Sequence, residues 1–285
     1  MKILVTGATG FIGNHLINEL VKNKSFEIIA TSRSLEKAKK LDWFDKVLYI
    51  EYDMNDYVNK DLYRLFNKPD KVIHLSWEGL PNYKDLIHIE KNLINQYRFI
   101  KSFIKGGLKD IVITGTCFEY GIQNGCLSEN IDMKPSNSYA IAKDTLRKFV
   151  IELNKEFDFS YKWIRLFYMY GNGQSEKSLM ALLDKAIEDD EKEFNMSSGE
   201  QLRDFLHISE VVKNILLIVD QKKYKNQAIN CCSGQAISIR RLVENYLNER
   251  NYNIQLNLGF YPYPDYEPMA FWGNDSKLSE IKELS

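Results

Sequence analysis

Tyr139 and Lys143 are the two residues of this chain whose types and spacing best suit proton transfer. They lie in a stretch, residues 137–157, whose apolar residues recur at helical spacing. Because the two residues are four positions apart, both side chains lie on the same face of a helix. A phenol with a pKa of about 10 is a poor acid-base catalyst at neutral pH, and a nearby ammonium group lowers that pKa by favouring the phenolate. Because Tyr and Lys are abundant here, the pair is not sufficient by itself.

A threonine at the end of an apolar strand is the third element. Thr116 follows the apolar residues 111–113, where the carboxyl end of a strand delivers polar groups to a site. Its hydroxyl can hydrogen-bond a carbonyl oxygen of a substrate. Thr116, Tyr139 and Lys143 are therefore the candidate catalytic residues.

The first thirteen residues predict a strand, a glycine turn and a helix. The apolar run Ile3–Val5 leads into Gly7, Gly10 and Gly13, and a helical pattern follows. Phosphate groups can bind to the backbone N–H groups of such a turn, because the helix dipole favours negative charge there. A side chain at Gly7 or Gly10 would hold the phosphates off. The alternative is a tight structural turn, since a glycine triplet alone is a weak signal.

Strands and helices alternate through the first part of the chain. After the first strand, apolar runs separated by amphipathic segments lie at residues 28–30, 47–50, 72–75, 111–113 and 163–167. This alternation is typical of a parallel sheet with right-handed crossovers. We therefore predict an α/β protein with a doubly wound parallel sheet over residues 1–167 and a smaller α/β lobe over residues 168–285, partly interleaved with the sheet.

Composition and charge exclude several classes of function. With 285 residues and 44% apolar content, the chain can bury a large core. A net charge of −1 gives no electrostatic case for nucleic acid binding. No apolar run is long enough to span a bilayer, and Met1 followed at once by a strand leaves no room for a signal peptide. We expect a cytoplasmic protein without membrane contacts.

The cysteines and histidines do not predict a metal site. The four cysteines show no metal-ligand spacing, and we expect all of them to be reduced thiols. The four histidines are scattered, and His74 in its apolar strand suits a satisfied core or wall position better than a ligand.

Together these segments resemble the extended short-chain dehydrogenase/reductase family, the NAD(P)-dependent epimerases, dehydratases and reductases of nucleotide sugars. The resemblance runs from Lys2 to about Lys277. It implies a Rossmann-type domain over residues 1–167 that binds the dinucleotide and a substrate-binding lobe over residues 168–285. Relatives form dimers, which implies a homodimer.

The resemblance also assigns roles to individual residues. It implies that Thr116 is the catalytic Ser/Thr, that Tyr139 is the proton donor or acceptor, and that Lys143 binds the nicotinamide ribose. The residues expected at the dinucleotide include the glycines, their neighbours and the ends of later strands: Gly7, Thr9, Gly10, Phe11, Ile12, Gly13, Ser32, Arg33, Asp53, Met54, Leu75, Ser76, Tyr139 and Lys143. Among them, Asp53 matches a residue that meets the adenine.

The end of the second strand indicates which dinucleotide is bound. A carboxylate there would bind the ribose 2'-OH of NAD and repel a 2'-phosphate, but this sequence has residues 31–34, Thr-Ser-Arg-Ser. Arg33 can pair with a 2'-phosphate and Ser32 can add a hydroxyl, which favours NADP(H) over NAD(H). The alternative is that Arg33 is an ordinary helix-entry residue that stacks on adenine without choosing between the two.

The residues after Thr116 bear on the reaction. In dehydratases of the family, an Asp-Glu pair at this place eliminates water, whereas Cys117 and Phe118 stand here and cannot act as a carboxylate acid and base. Cys117 is either a third catalytic acid or a small apolar wall. What remains is hydride transfer at one carbon, in which Tyr139 donates the proton and Thr116 holds the oxygen.

Residues 77–83, 115–127 and 139–148 resemble a branch that acts on dTDP-linked 4-keto-6-deoxyhexoses. This implies NADPH-dependent reduction of the C4 ketone to a 6-deoxy sugar such as dTDP-fucose or dTDP-6-deoxytalose. Two alternatives are a nucleotide-sugar 4-epimerase with tightly held NAD(P) and a non-catalytic dinucleotide sensor. The intact catalytic residues argue against the sensor.

The residues expected at the nucleotide sugar are Thr116, Cys117, Phe118, Tyr168, Phe194, Asn195 and Arg203. The resemblance implies that Arg203 binds the diphosphate and that Tyr168 replaces an Asn that contacts substrate in many relatives. Phe194 and Asn195 could contact the nucleobase, or their segment could be a strand that packs on the core. The aromatic segment 261–272 is either a lid over the sugar or a cap of the lobe.

Overall fold

Strands and helices alternate along the chain, as described by a computed structural model for residues 1–56, 61–265 and 267–285. The strands in these ranges are β1 (Lys2–Thr6), β2 (Glu27–Ser32), β3 (Leu48–Glu51), β4 (Lys71–His74), β5 (Asp110–Thr116), β6 (Gly125–Leu127), β7 (Ser160–Leu166), β8 (Tyr168–Tyr170), β9 (Glu193–Asn195), β10 (Leu202–Arg203), β11 (Phe205–His207), β12 (Gln227–Cys231), β13 (Ile237–Ser238), β14 (Gln255–Asn257) and β15 (Phe271–Gly273). The helices are α1 (Phe11–Leu20), α2 (Leu35–Ala38), α3 (Leu62–Leu65), α4 (Ile94–Gly106), α5 (Ser138–Glu156), α6 (Leu179–Glu188), α7 (Ile208–Asp220), α8 (Ile239–Glu249) and α9 (Ser276–Glu283). Short 3-10 turns lie at Phe44–Lys46, Met54–Asp56 and Cys117–Tyr120, and a π-helical turn, His88–Leu93, leads into α4.

Seven parallel strands form the main sheet, in the order β12-β7-β5-β4-β1-β2-β3. Helices cover both faces, so all four residues of β4 are buried, including Lys71 and His74 at its ends. The predicted α/β class and doubly wound parallel sheet are confirmed. The strand order switches between β1 and β4: β2 and β3 extend the sheet on one side, and β4, β5, β7 and β12 extend it on the other. Sheets of this type bind ligands in the crevice at the carboxyl ends of the strands at such a switch point.

Two apolar layers enclose the sheet. One layer packs α1, α7 and α9 against one face, and the other packs α3, α4 and α5 against the opposite face. Of these elements, α7, α9 and the edge strand β12 come from beyond residue 167. A boundary at residue 167 stays a prediction, and the later part of the chain is interleaved with the sheet through these three elements.

The smaller lobe has a core of its own. Helices α6 and α8 pack around the pair formed by β9 and β14. Three further pairs, β10 with β13, β11 with β8 and β15 with β6, connect the lobe to the carboxyl end of the main sheet. This arrangement puts the lobe beside the crevice, where it can close one side of a site.

Within the described ranges, none of the helices has both the length and the apolar character needed to cross a membrane. In the same ranges, no cluster of three or more His, Cys, Asp or Glu residues is arranged to hold a metal ion. All four cysteines are free: Cys117, Cys231 and Cys232 are buried, and Cys126 is exposed.

Candidate active site

The glycine turn between β1 and α1 presents open backbone to the crevice. Gly10 is the N-cap of α1 and makes no side-chain cap, so the first turn of the helix keeps N–H groups that have no partner within the helix. Gly7 has a φ of +67°, and a Cβ there would lie 3.1 Å from the backbone nitrogen of Ser76. Gly13 has a packing role, because a Cβ there would lie 2.2 Å from the carbonyl oxygen of Gly7.

A cavity of about 450 Å³ opens at the carboxyl ends of β1, β2 and β4. The predicted residues that line it are Gly7, Thr9, Gly10, Ser32, Arg33, Asp53, Met54, Leu75 and Ser76. A nicotinamide dinucleotide fits this place: the close approach at Gly7 leaves no room for a Cβ, and the helix N-terminus offers donors for a pyrophosphate. Five other residues predicted at the dinucleotide do not line the cavity: Phe11, Ile12, Gly13, Tyr139 and Lys143. The side chains of Phe11 and Ile12 are partly buried against the core.

Several residues at the cavity were missed at the level of sequence. Trp77 and Glu78 line it from the loop after β4, in the segment 77–83 to which the resemblance assigns no cofactor role. Asn92, Asn95 and Gln96 line it from the π-helical turn and the start of α4. These residues are three and four positions apart, so their polar side chains lie on one face of a helix. That spacing is the sequence signal by which they could have been predicted.

Helix α5 carries Tyr139 and Lys143 into the site. The Asn137 side chain caps the helix by accepting a hydrogen bond from the Ala140 nitrogen at 2.9 Å, which fixes Tyr139 in the first turn. Tyr139 is 7% exposed, and its ring lies 5.8 Å from that of Trp77, 5.6 Å from that of Tyr83 and 5.4 Å from that of His88. The predicted catalytic tyrosine is thus enclosed by aromatic rings.

The pKa values of Tyr139 and Lys143 differ from the sequence expectation. Burial, with the charges of Tyr83 and Glu119, raises the pKa of Tyr139 above its usual range, and the nearby Thr116 side chain lowers it. Burial lowers the pKa of Lys143 to about 7, and Glu119 opposes this shift. The expectation that Lys143 makes Tyr139 more acidic is therefore wrong for this arrangement, because burial acts on both groups and disfavours both charges.

Lys143 is held by the strand that carries Thr116. Its ammonium group donates to the Thr114 carbonyl oxygen at 2.8 Å and lies 4.1 Å from the centroid of the Trp77 ring. Trp77 is fixed in turn, because its indole nitrogen donates to Nδ1 of His88 at 3.0 Å. Lys143 and Trp77 therefore connect the catalytic helix to the wall of the cavity.

Thr116 stands at the turn between β5 and the 3-10 segment that follows. The Thr116 nitrogen donates to the Glu119 carboxylate at 2.9 Å, and the Thr116 hydroxyl accepts from the Phe118 nitrogen at 3.3 Å. Glu119 is fully buried and accepts from Arg165 at 2.8 Å and from Trp163 at 2.9 Å. Because Glu119 faces the core, it is turned away from the site and does not replace the missing elimination acid.

Cys117 and His74 serve as walls. Burial, followed by the charge of Glu267, raises the pKa of Cys117 above its usual range, so the side chain stays a thiol at neutral pH. His74 contacts Thr6 at 3.0 Å and Gln96 at 2.7 Å. Burial, with the charge of Lys143, lowers the pKa of His74 to about 3, which keeps the ring neutral.

A run of aromatic rings leads from Tyr139 towards the lobe. Tyr83 lies 4.9 Å from Phe118, which lies 6.2 Å from Tyr168, measured between ring centroids. The guanidinium of Arg203 lies 5.8 Å from the Tyr168 ring. Phe118, Tyr168 and Arg203, predicted to meet the substrate, are thus linked to Tyr139 by a chain of side-chain contacts.

Arg203 is fully buried and already paired. It donates to the Glu267 carboxylate at 2.8 Å and to the Leu202 carbonyl oxygen at 2.8 Å, and it lies 4.7 Å from the Phe271 ring. Glu267 belongs to the predicted lid segment 261–272, of which Tyr266 lies outside the described residues. A diphosphate would therefore have to compete with Glu267 for Arg203.

Phe194 and Asn195 are not part of this chain of contacts. Phe194 is 6% exposed in the core of the lobe, which contradicts a stacking role and agrees with the alternative of a core strand. Asn195 accepts a hydrogen bond from Asn257 at 2.8 Å on the exposed side of β9. The side chains of adjacent strand residues point to opposite faces, so a single strand cannot aim both at one base.

The model of the NAD dependent epimerase/dehydratase family matches residues 3–232. The chain belongs to this family. The match covers the glycine turn, the three candidate catalytic residues and Arg203, so the features built up above are those of an epimerase/dehydratase family member.

Two similar family members are named for reactions at deoxysugars. The dTDP-6-deoxy-L-talose 4-dehydrogenase (NAD(+)) of Aggregatibacter actinomycetemcomitans is 29% identical over 96% of this chain and 99% of its own. The dTDP-4-dehydro-6-deoxyglucose reductase of Escherichia coli is 26% identical over 85% of this chain and 79% of its own. Among solved structures, the UDP-glucuronic acid 4-epimerase of Bacillus cereus in complex with UDP-glucuronic acid and NAD is similar in fold, with a TM-score of 0.83 and 24% identity over 100% of this chain and 94% of that chain.

Proposed function

We propose that this family member is an NADPH-dependent 4-ketoreductase of a nucleotide-linked 4-keto-6-deoxyhexose, with dTDP as the carrier and a 6-deoxy sugar such as dTDP-fucose or dTDP-6-deoxytalose as the product. The observation that carries the proposal is the site around Thr116, Tyr139 and Lys143. The Lys143 ammonium group lies 4.1 Å from the ring of Trp77, which lines the cavity suited to a dinucleotide, while Cys117 and Phe118 leave no acid and base for elimination. The names of the two deoxysugar relatives support the same substrate class.

Tyr139 carries the proton that a donor needs, although burial makes its phenol a weaker acid than an exposed tyrosine. Its raised pKa keeps the phenol protonated at neutral pH, which is the form needed to protonate a ketone oxygen as that oxygen becomes a hydroxyl. A bound reduced nicotinamide supplies the hydride. With the dinucleotide bound, its hydride would form the new C–H bond at C4 and leave the nicotinamide oxidised, while the proton from Tyr139 would form the new O–H bond.

The neighbouring residues orient the ketone and exclude water. The Thr116 hydroxyl accepts from the Phe118 nitrogen, which leaves its own hydrogen to donate to the ketone oxygen. Lys143 would bind the nicotinamide ribose, as the resemblance to the family implies. The rings of Trp77, Tyr83 and His88 keep water from Tyr139.

The preference for NADP(H) is part of the proposal. Arg33, Ser32 and Lys37 line the cavity and can meet a 2'-phosphate. One relative is named for NAD(+), and the Bacillus cereus structure holds NAD. Both dinucleotides therefore belong in the assay.

The test follows absorbance of the reduced nicotinamide with dTDP-4-keto-6-deoxyglucose and either NADPH or NADH, with a Tyr139→Phe variant beside the wild type. We expect consumption of NADPH by the wild type and a loss of roughly 10²–10⁴-fold in the variant, because the proton donor is removed. Dinucleotide binding by the variant should persist. Interconversion of two sugar nucleotides without net oxidation would instead establish the 4-epimerase.

A homodimer and a cytoplasmic location stay predictions. Ile94 on α4 and Ile141 on α5 are large apolar side chains that are 38% and 40% exposed, as residues at a dimer interface would be in a single chain. Size-exclusion chromatography with light scattering measures the molar mass of the wild type and of an Ile141→Glu variant in solution. A dimer that becomes a monomer in the variant is the expected result.

A further inference from the structure

An ion pair joins the two loops that flank the glycine turn at the cavity. Arg33 follows β2 and Glu78 follows β4, and these strands are the two neighbours of β1 in the sheet. One guanidinium nitrogen of Arg33 lies 2.6 Å from a carboxylate oxygen of Glu78. Both side chains line the cavity, at the end where the sequence predicts the adenosine ribose.

Glu78 is fixed in place by its other contacts. Its second carboxylate oxygen accepts from the Asn55 amide at 3.2 Å and lies 3.6 Å from the Lys91 ammonium group. Its backbone carbonyl accepts from Asn92 at 2.9 Å. Burial raises the pKa of Glu78, but the hydrogen bonds from Arg33 and Asn55 outweigh burial and hold the pKa below its usual value. The group is therefore a carboxylate at neutral pH.

The charges at the cavity are balanced. Its lining includes two cationic side chains, Arg33 and Lys37, and two acidic ones, Asp53 and Glu78. A 2'-phosphate brings close to two negative charges and would meet a guanidinium already engaged with a carboxylate. A 2'-hydroxyl brings no charge and can donate a hydrogen bond to a carboxylate, as it does to the acid at the end of the second strand in NAD-binding folds.

We propose that Glu78 is a specificity-determining residue for the dinucleotide: it competes with the 2'-phosphate for Arg33, supplies from the β4 loop the carboxylate that the end of β2 lacks, and so lets NAD(H) bind alongside NADP(H). This inference rests on the proposed function, since it requires that the cavity bind a nicotinamide dinucleotide. Arg33 alone would favour NADP(H) over NAD(H), and Glu78 reduces the difference in affinity between the two dinucleotides.

The test compares binding of 2',5'-ADP and 5'-AMP, which differ only in the 2'-phosphate, by titration calorimetry. Glu78→Gln keeps the size of the side chain and removes its charge. We expect it to tighten 2',5'-ADP by about tenfold and to change 5'-AMP by no more than about twofold, since one repulsive charge near a phosphate is removed. Arg33→Gln should act in the opposite direction and weaken 2',5'-ADP selectively.

Glu36→Gln is the matched control. Glu36 lies on α2 close to the same end of the sheet, pairs with Lys39 at 2.8 Å and does not line the cavity. An equal gain in 2',5'-ADP affinity in Glu36→Gln would overturn the inference, because it would reveal a general effect of net charge. No selective gain in Glu78→Gln would also overturn it.

Titration of the wild type with NADH and NADPH separates this inference from the proposed function. If neither dinucleotide binds, the proposed function fails and the inference fails with it. If either binds and the fragments do not respond to Glu78→Gln, only the role of Glu78 fails. The ratio of kcat/KM for NADPH and NADH should shift towards NADPH in Glu78→Gln by the same factor as the fragment affinities.

Discussion

Lys143 shows a conflict between the needs of the site and those of the fold. The side chain is 3% exposed, and burial lowers its pKa to about 7. The only hydrogen bond described for its ammonium group, in the ranges that the structure covers, goes to the Thr114 carbonyl. A charged group with so little compensation destabilises the fold, and it is kept where its charge can serve a reaction.

We expect Lys143→Met to unfold at higher urea concentration than the wild type at about pH 6, although the proposed activity is lost. The folded pKa lies below the unfolded value, so between the two values the unfolded chain binds more protons. Wild-type stability therefore rises with pH in that window, by up to about 1.4 kcal/mol per pH unit. The advantage of the variant should shrink from about pH 7 upward.

Urea titrations at several pH values measure this difference. Lys155→Met is the control, because Lys155 lies on the same helix, is largely exposed and pairs with Glu152. A stability difference between Lys143→Met and the wild type that does not change between about pH 6 and about pH 9 would contradict the buried ammonium.

At the level of elements, a buried ion pair joins the 3-10 turn after β5, which carries Glu119, to β7, which carries Arg165. Glu119 and Arg165 are both at most 1% exposed in their side chains. Gly115 makes room for the pair, because a Cβ there would lie 2.3 Å from the Glu119 carboxylate and 2.1 Å from the Trp163 indole nitrogen. The turn that presents Thr116 therefore depends on a charge in the core.

Glu119→Gln should destabilise the protein by about 3–5 kcal/mol, because it leaves the Arg165 guanidinium buried without a counter-charge. Adding Arg165→Met should restore part of the loss, since the pair is then removed as a unit. Urea unfolding of the two single variants and the double variant gives the coupling energy. Losses that simply add would mean that the two residues do not act as a pair.

The sequence predicts those elements whose local pattern matches their environment. Strands such as β1 and β5, which are buried on both faces, contain runs of apolar residues that predict them. The glycine turn and the spacing of Tyr139 and Lys143 are also features of short segments of the chain. Contacts between distant segments were not predictable in this way. The pairing of Arg203 with Glu267 and that of Arg33 with Glu78 depend on how loops meet, and the depth of Phe194 depends on the lobe around it.

On the scale of the whole molecule, the later part of the chain completes the main sheet. Strand β12 pairs with β7 in parallel and forms the edge of the sheet. Near the C-terminal end of α7, the Val219 carbonyl accepts from Lys71 at 2.7 Å and from Lys162 at 3.2 Å. Both lysines are buried, and cations at a helix C-terminus are favourable. The predicted domains are thus connected through the core as well as through the chain.

Residues 1–167 expressed alone should therefore fail to fold, although they contain the glycine turn and all three candidate catalytic residues. The buried aliphatic side chains that the rest of the chain adds to one layer of the core are Ile208, Val211, Val212, Ile215, Ile218, Val219, Ile229, Leu278 and Ile281. At roughly 1.5–3 kcal/mol each, their burial contributes about 13–27 kcal/mol, which is at least comparable with the roughly 5–15 kcal/mol by which domains are stable. Hydrogen exchange should show little amide protection in β1 and β4 of the fragment. Protection that matches the full chain would mean that the sheet is an independent domain ending at residue 167, and adding residues 168–285 in trans would then leave it unchanged.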